Sequence, residues 1–197
     1  MRVRYNEKIY FSFGFAKKKR NLENAGYSFE IIVSDADENI TEVMTPEKTV
    51  EELAKRKAMA VLKDNGDAVV FGCDTVVAID GKILGKPTDD EDAFNMLSML
   101  SGRTHTVSTG VCICSADNVS VFSNTTEVEF YALSDDTIHG YIATGECSDK
   151  AGSYGIQGYG NVLVKEIKGD YFSVMGLPVS ESARVLSEFG VYGKVEV

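Results

Sequence analysis

Proline is scarce in this chain, with three among 197 residues, and no Pro-rich or Ser/Gly-rich stretch divides it. No internal repeat or low-complexity segment interrupts it either. The expectation is one domain spanning residues 1–197. No apolar run approaches the length of a membrane span. The opening "MRVRYNEKIYFSFGF" carries early charge but no sustained apolar segment and no small-residue cleavage site, so a cytoplasmic location is expected. The four cysteines include no C-x-x-C pair. Cys112 and Cys114 stand two apart on a predicted strand and share a face, an arrangement unsuited to a bridge. Reduced, structural cysteines are the expected state. With only two histidines, a histidine-rich zinc site is excluded. There is no nucleophile elbow, no phosphate loop of the G-x-x-x-x-G-K type, and no G-x-G-x-x-G after a strand. Basic residues number 20 against 30 acidic ones, a net charge of -10. That excludes a broad nucleic-acid-binding surface. A small anionic ligand stays open, because a local pocket and a divalent ion override global charge.

What is present is ordinary globular usage, 44% hydrophobic and 25% charged, with strands and helices mixed. Ile9 to Phe15 reads as a strand, and Ala16 to Ala25 as a short helix closed by Gly26. Phe29 to Val33 is apolar and leads into the acidic "SDADEN". Thr45-Pro46 starts a helix that runs to about Lys63. Ala68 to Ile79, "AVVFGCDTVVAI", is apolar on both faces, as a central strand would be. Asp80-Gly81 signals a hairpin. Thr88 is expected to cap the next helix, which closes at Gly102. Strands follow around "HTVSTGVCICS" and "NTTEVEFYAL". Ser134 starts another helix. "KAGSYGIQGYG" reads as a loop, "NVLVKEI" as a strand, and Pro178 to Gly190 as the last helix. The fold class is α/β, or α+β with a mixed sheet.

Two residues break these patterns. Lys57 falls in register with the apolar stripe Val50, Leu53, Ala54, Ala58, Val61 and Leu62. It is either a snorkelling stem at the stripe's edge or an ammonium aimed at a partner. Asp74 interrupts the most apolar strand, where a carboxylate needs a partner, a metal or an open strand end. With Glu38 or its acidic neighbours and Lys86, these make a set of acids and lysines. Such a set suits a polyphosphate and a hard divalent cation, Mg²⁺ or Mn²⁺.

Several segments, in order, resemble the Maf family of nucleoside triphosphate pyrophosphatases: "AKRKA" (54–58), "GCDTVVAIDGKILGKP" (72–87), "MLSMLSGRTHTVSTGV" (96–111), "DKAGSYGIQGYG" (149–160) and "GDYFSVMGLPV" (169–179). The resemblance covers nearly all of the chain from Gly26 onward. It implies an elongated mixed-sheet fold like that of inosine triphosphate pyrophosphatases, with a cleft. It also implies hydrolysis of a nucleoside triphosphate to monophosphate and pyrophosphate, with a divalent metal as cofactor. By motif, Asp74 resembles the central acid, as base for the attacking water or as metal ligand. Glu38 resembles the acid that assists the metal, and Lys57 and Lys86 resemble phosphate-holding lysines. Thr75 and Gln157 resemble the branch acting on thymidine and uridine triphosphates. The family commonly forms dimers, so a homodimer is an implied assembly.

The pattern departs ahead of Gly26. Where the family reads S-x-S-P-R-R, this chain has Phe13-Gly14-Phe15-Ala16-Lys17-Lys18. Lys17 and Lys18 are candidates for the arginine pair, without its planar fork. Ser12 supplies one hydroxyl if the loop shifts by a residue. The cations "KKKR" open a helix, an end that disfavours cations and suits phosphate. An active pyrophosphatase, a nucleotide-binding protein with weak or lost hydrolysis, and a non-enzymatic partner protein are the three readings this leaves.

Overall fold

The computed structural model describes residues 9–12, 16–195 and 197. Strand β1 (Ile9–Ser12) runs parallel to β2 (Glu30–Ile31) on one side and to β3 (Val69–Ile79) on the other. β4 (Lys82–Leu84) returns antiparallel along β3 through the Asp80-Gly81 turn. β5 (Thr104–Cys114), β6 (Val119–Phe130) and β7 (Val164–Lys168) complete the order β2-β1-β3-β5-β6-β7. β7 is antiparallel to β6, so the sheet is mixed, as expected. The expected strand over residues 9–15 is seen as Ile9–Ser12, since Phe13, Gly14 and Phe15 lie outside the described residues.

The helices are α1 (Ala16–Asn24), α2 (Pro46–Asp64), α3 (Asp90–Leu100), α4 (Asp135–Ile142), α5 (Tyr171–Val174) and α6 (Val179–Glu188). Their ends follow capping chemistry. Thr45 accepts from the Lys48 N–H at 3.4 Å, with Pro46 in the first turn of α2. Ser134 likewise accepts from the Thr137 N–H at the start of α4. For α3 the structure corrects the expected cap: Asp89, not Thr88, is the N-cap and accepts from Asp92 N–H at 2.8 Å. Asp92 reaches back to the N–H and hydroxyl of Thr88, which therefore sits just outside the helix. Phe29–Val33 shrinks to the two exposed residues of β2. The four-residue α5, capped by Asp170, was not legible as a helix, being a single turn. No helix among the described residues is long and apolar enough to cross a membrane.

The chain divides into two compact units, Met1–Asp74 with Thr109–Asn124 and Gly176–Val197, and Thr75–Ser108 with Thr125–Met175. The division falls inside β3, β5 and β6. The first unit holds two apolar clusters. One gathers Phe11, Leu22, Phe71, Ile113, Leu177 and Leu186, with Phe11 and Phe71 stacked at 4.7 Å. The other sets Ala54, Ala58, Val61 and Leu62 of α2 against Val70, Cys112 and Cys114. The second unit buries Val77, Leu84, Leu97, Leu100, Phe130 and Leu163. All four cysteines are buried and unbridged, as expected.

His105 lies in the second unit with its ring edge-on to Phe130 and Tyr154. Nε2 and the Tyr154 hydroxyl share a 2.8 Å hydrogen bond, while Nδ1 is buried without a partner among the described residues. Burial pulls its pKa from 6.5 down to about 4, so the folded ring is neutral. The unfolded chain takes up this proton near 6.5 and the folded chain only near 4. Stability from this group is therefore complete above 6.5 and is lost as pH falls toward 4. The expected loss is about 3 kcal/mol on going from neutral pH to pH about 4. Urea unfolding of wild type and His105→Gln across that range checks it. A variant whose stability falls with pH as steeply as wild type refutes the assignment.

Candidate functional site

The site builds from the end of β1. Ser12, the last described residue of β1, pairs with Gly72 of β3, and β3 runs on through Cys73 and Asp74. Asp74 lies within β3 with its side chain 18% exposed, and its charge is met there by a cation.

Helix α2 delivers the partner. Its apolar stripe packs Ala54 and Ala58 against β3, and Lys57 lies between them in sequence on the same side. Gly72 permits the approach, since a Cβ there would overlap the Ala54 carbonyl oxygen and the Ala58 nitrogen. The Lys57 ammonium then lies 2.5 Å from Asp74 Oδ1 and 3.1 Å from Glu38 Oε1. The Lys57 and Asp74 side chains are only 13% and 18% exposed, so solvent screens their pairing weakly. Burial pulls the Lys57 pKa down, but Asp74 and Glu38 outweigh it and hold the ammonium above its ordinary range. Lys57 is therefore a fixed cation at neutral pH.

Glu38 belongs to an irregular loop, which α2 also holds. Arg56 Nη1 donates to the carbonyls of Asp37 and Asn39, on either side of Glu38, at 3.3 and 2.9 Å. Arg56 Nε is itself fixed by Glu52 at 2.8 Å. Sequence reasoning missed Arg56. Its only signal was its position beside Lys57 in "AKRKA".

A buried cation stands on α1. Lys18 of α1 is buried and donates from Nζ to Cys73 Sγ at 3.3 Å. Burial pushes the Cys73 thiol up and Lys18 draws it partly back, so the sulfur stays protonated. Ser12 is buried, and its Oγ has no hydrogen-bond partner among the described residues. Of the sequence-predicted residues, then, Glu38, Lys57 and Asp74 come together, and Lys18 joins Cys73, next to Asp74. The side chain of Lys17 lies outside the described residues.

The remaining candidates belong to the second unit. Thr75 follows Asp74 on β3. Lys86 is exposed in the loop after β4, and Gln157 is half-buried between two short 3₁₀ turns, Ala151–Ser153 and Gly158–Val162. Among the described residues no group of three or more His, Cys, Asp or Glu could hold a metal ion. The acids that converge are a pair, Asp74 and Glu38, on a single cation.

Comparison with known proteins points one way. A family model described as "Maf-like protein" matches residues 16–189. The chain is 47% identical over 184 residues to the dTTP/UTP pyrophosphatase of a Bacillus cereus strain, covering 93% of this chain and 96% of that protein. It is 46% identical over 184 residues to the dTTP/UTP pyrophosphatase of Bacillus anthracis, with the same coverage. It is 49% identical over 175 residues to that of Bacillus pumilus (strain SAFR-032), covering 89% and 93%.

The close approach at Gly72 yields a test. Gly72→Ala must push α2 off β3, because the atoms a Cβ would meet are largely backbone. The variant should lose about 1–3 kcal/mol of stability by overpacking and should separate Lys57 from Asp74. Urea midpoints together with nucleotide-dependent thermal stabilisation measure both effects. A variant indistinguishable from wild type in both would show that Gly72 does not place Lys57.

Proposed function

The chain belongs to the Maf family, and on that premise we propose that it hydrolyses dTTP and UTP to nucleoside monophosphate and pyrophosphate as a single Maf-like domain. The observation that carries this reading is the Lys57 ammonium bound by Asp74 and Glu38. Two carboxylates converging on one ammonium supply hard oxygens for a divalent cation, and a triphosphate that arrives with such a cation can also meet the ammonium.

In this reading Asp74 accepts the proton of the attacking water. Water adds to the α-phosphorus, the bond to the α–β bridging oxygen breaks, and pyrophosphate leaves. Lys57 binds a phosphate oxygen and stabilises the charge that develops there, at no reorganisation cost because its position is already fixed. Glu38 and Asp74 keep Lys57 protonated. Lys18 and the unsatisfied Ser12 hydroxyl supply a donor pair for a further phosphate oxygen. Lys17, Lys86, Thr75 and Gln157 complete the substrate contacts that the resemblance implies.

A divalent cation fits the donor set. Asp74 and Glu38 present hard carboxylate oxygens that already converge on one positive charge. Two carboxylates plus substrate phosphates are the usual ligands of Mg²⁺. When bound, the ion supplies Lewis-acid polarisation of the phosphate.

Asp74→Asn tests the reading, because the amide keeps the shape and cannot accept the proton. Pyrophosphate release from dTTP and UTP should fall by about 10²–10⁴-fold, while the melting temperature falls by about 2–4 °C for each kcal/mol of lost pairing. Full activity in a folded Asp74→Asn variant removes Asp74 from the chemistry. Thermal stabilisation of the wild-type chain by dTTP with no pyrophosphate release would instead mark a nucleotide-binding protein, the reading favoured by the altered segment before α1.

A further inference from the structure

Within the second unit, the loop that carries Gln157 has an anchor of its own. The Glu146 carboxylate accepts two backbone donors through one oxygen, Oε2. The Tyr159 N–H lies at 2.8 Å and the Gly160 N–H at 3.3 Å. The other side of the loop is held by the Tyr141 hydroxyl, which accepts from the Gly155 N–H at 3.1 Å. Gln157 is thus bracketed, two residues after one anchored amide and two before the other.

The fit is close. Gly158 has φ +71°, and a Cβ at that residue would overlap the Glu146 carboxylate. Gly160 is buried, where a Cβ would meet the Gly155 carbonyl oxygen. Glu146 is itself fixed at its main chain, since its carbonyl accepts from Lys150 Nζ at 2.7 Å. Lys150 also pairs with Asp149 at 2.5 Å. A charge-assisted bond from two amides to a half-buried carboxylate is stronger than a neutral pair. It supplies order to a glycine-rich loop that has little of its own.

We propose that Glu146 is a positioning residue, whose carboxylate fixes the Gly155–Gly160 loop so that Gln157 is pre-organised for the pyrimidine nucleoside triphosphate. The inference rests on the reading that Gln157 touches substrate. Glu146 takes no part in the chemical step. Its effect is on binding: a loop released from its anchor must be ordered by the ligand, and that ordering weakens apparent affinity.

The experiment compares three variants of the full chain with dTTP and UTP. Gln157→Ala tests the underlying reading; an unchanged KM there overturns the role of Gln157, whatever Glu146 does. Given a raised KM for Gln157→Ala, Glu146→Ala should raise KM by about tenfold with kcat nearly unchanged. Glu146→Gln keeps an acceptor oxygen at the same reach and should restore most of the affinity. Two results overturn the proposal: KM unchanged in Glu146→Ala, or kcat reduced with KM unaffected. Should Glu146→Ala fail to fold, Glu146→Gln and Glu146→Asp decide. The glutamine must then bind more tightly than the aspartate, whose shorter stem withdraws the oxygen, and the reverse order or equality refutes the anchor. A lower melting temperature with unchanged KM assigns Glu146 to stability alone and also refutes it.

Discussion

The contact on which the site depends is the Lys57 ammonium between Asp74 and Glu38. Neither partner is stable alone where it stands. Asp74 interrupts the most apolar strand, and Lys57 occupies a helix face otherwise filled by Ala54, Ala58 and Val61. Removing one charge would leave the other partly buried and uncompensated, which costs more than the pair contributes. The surrounding structure is arranged for that contact. Small residues on α2 and a glycine on β3 bring backbone to backbone, shortening the distance a lysine stem must span. The Thr45 cap fixes where α2 begins, and so which side chains face the strand. The contact therefore constrains helix start, helix face and strand composition together.

Much of this was legible in the sequence because it violates local rules. Lys57 on an apolar stripe and Asp74 in an apolar strand are both departures from amphipathic patterning, and each signalled a partner. Their pairing is not a sequence property, because the chain between them, a separation of 17 residues, turns back through the Asn65 cap before β3 begins. Composition and spacing left Glu38 as one of several acids in "SDADEN", and the family resemblance alone picked it out. What singles it out in the structure is Arg56, which grips the loop by its carbonyls, and backbone acceptors leave no trace in composition. The cap of α3 shows the same limit. Thr88 and Asp89 are both good caps, and the choice between them is made by Asp92 reaching back. Helix α5 and the brevity of β2 were illegible because each is too short to display a period.

The loops of Glu38 and Gln157 are held in the same way. Irregular backbone cannot satisfy its own N–H and C=O groups, and a glycine-rich or acidic loop has little apolar surface to bury. Each is therefore gripped by a long charged side chain from a regular neighbour or its flank, with the Tyr141 hydroxyl as a further hold on the second. Arg56 donates to the loop of Glu38, and Glu146 accepts from the loop of Gln157. The signs are matched to the groups offered. A guanidinium meets carbonyls, a carboxylate meets amides, and in each case the ionised partner makes the bond stronger than a neutral one.

The charge balance gives these cations their meaning. At a net charge of -10 the protein repels a triphosphate at long range, although the Debye length of about 8 Å at physiological ionic strength confines that repulsion to close approach. Attraction must come from charges near the phosphate and shielded from water, where the effective dielectric is lower. Lys57 and Lys18 meet that requirement, one held by acids and the other by a protonated thiol. The cost of desolvating both is met in folding, so it does not fall on binding. Surface lysines could neutralise the same anion, but they would have to be ordered and dehydrated each time. In the proposed site, one half-buried and one buried ammonium group would favour an anion whose shape carries an oxygen to each cation over one that merely collides with the acidic surface.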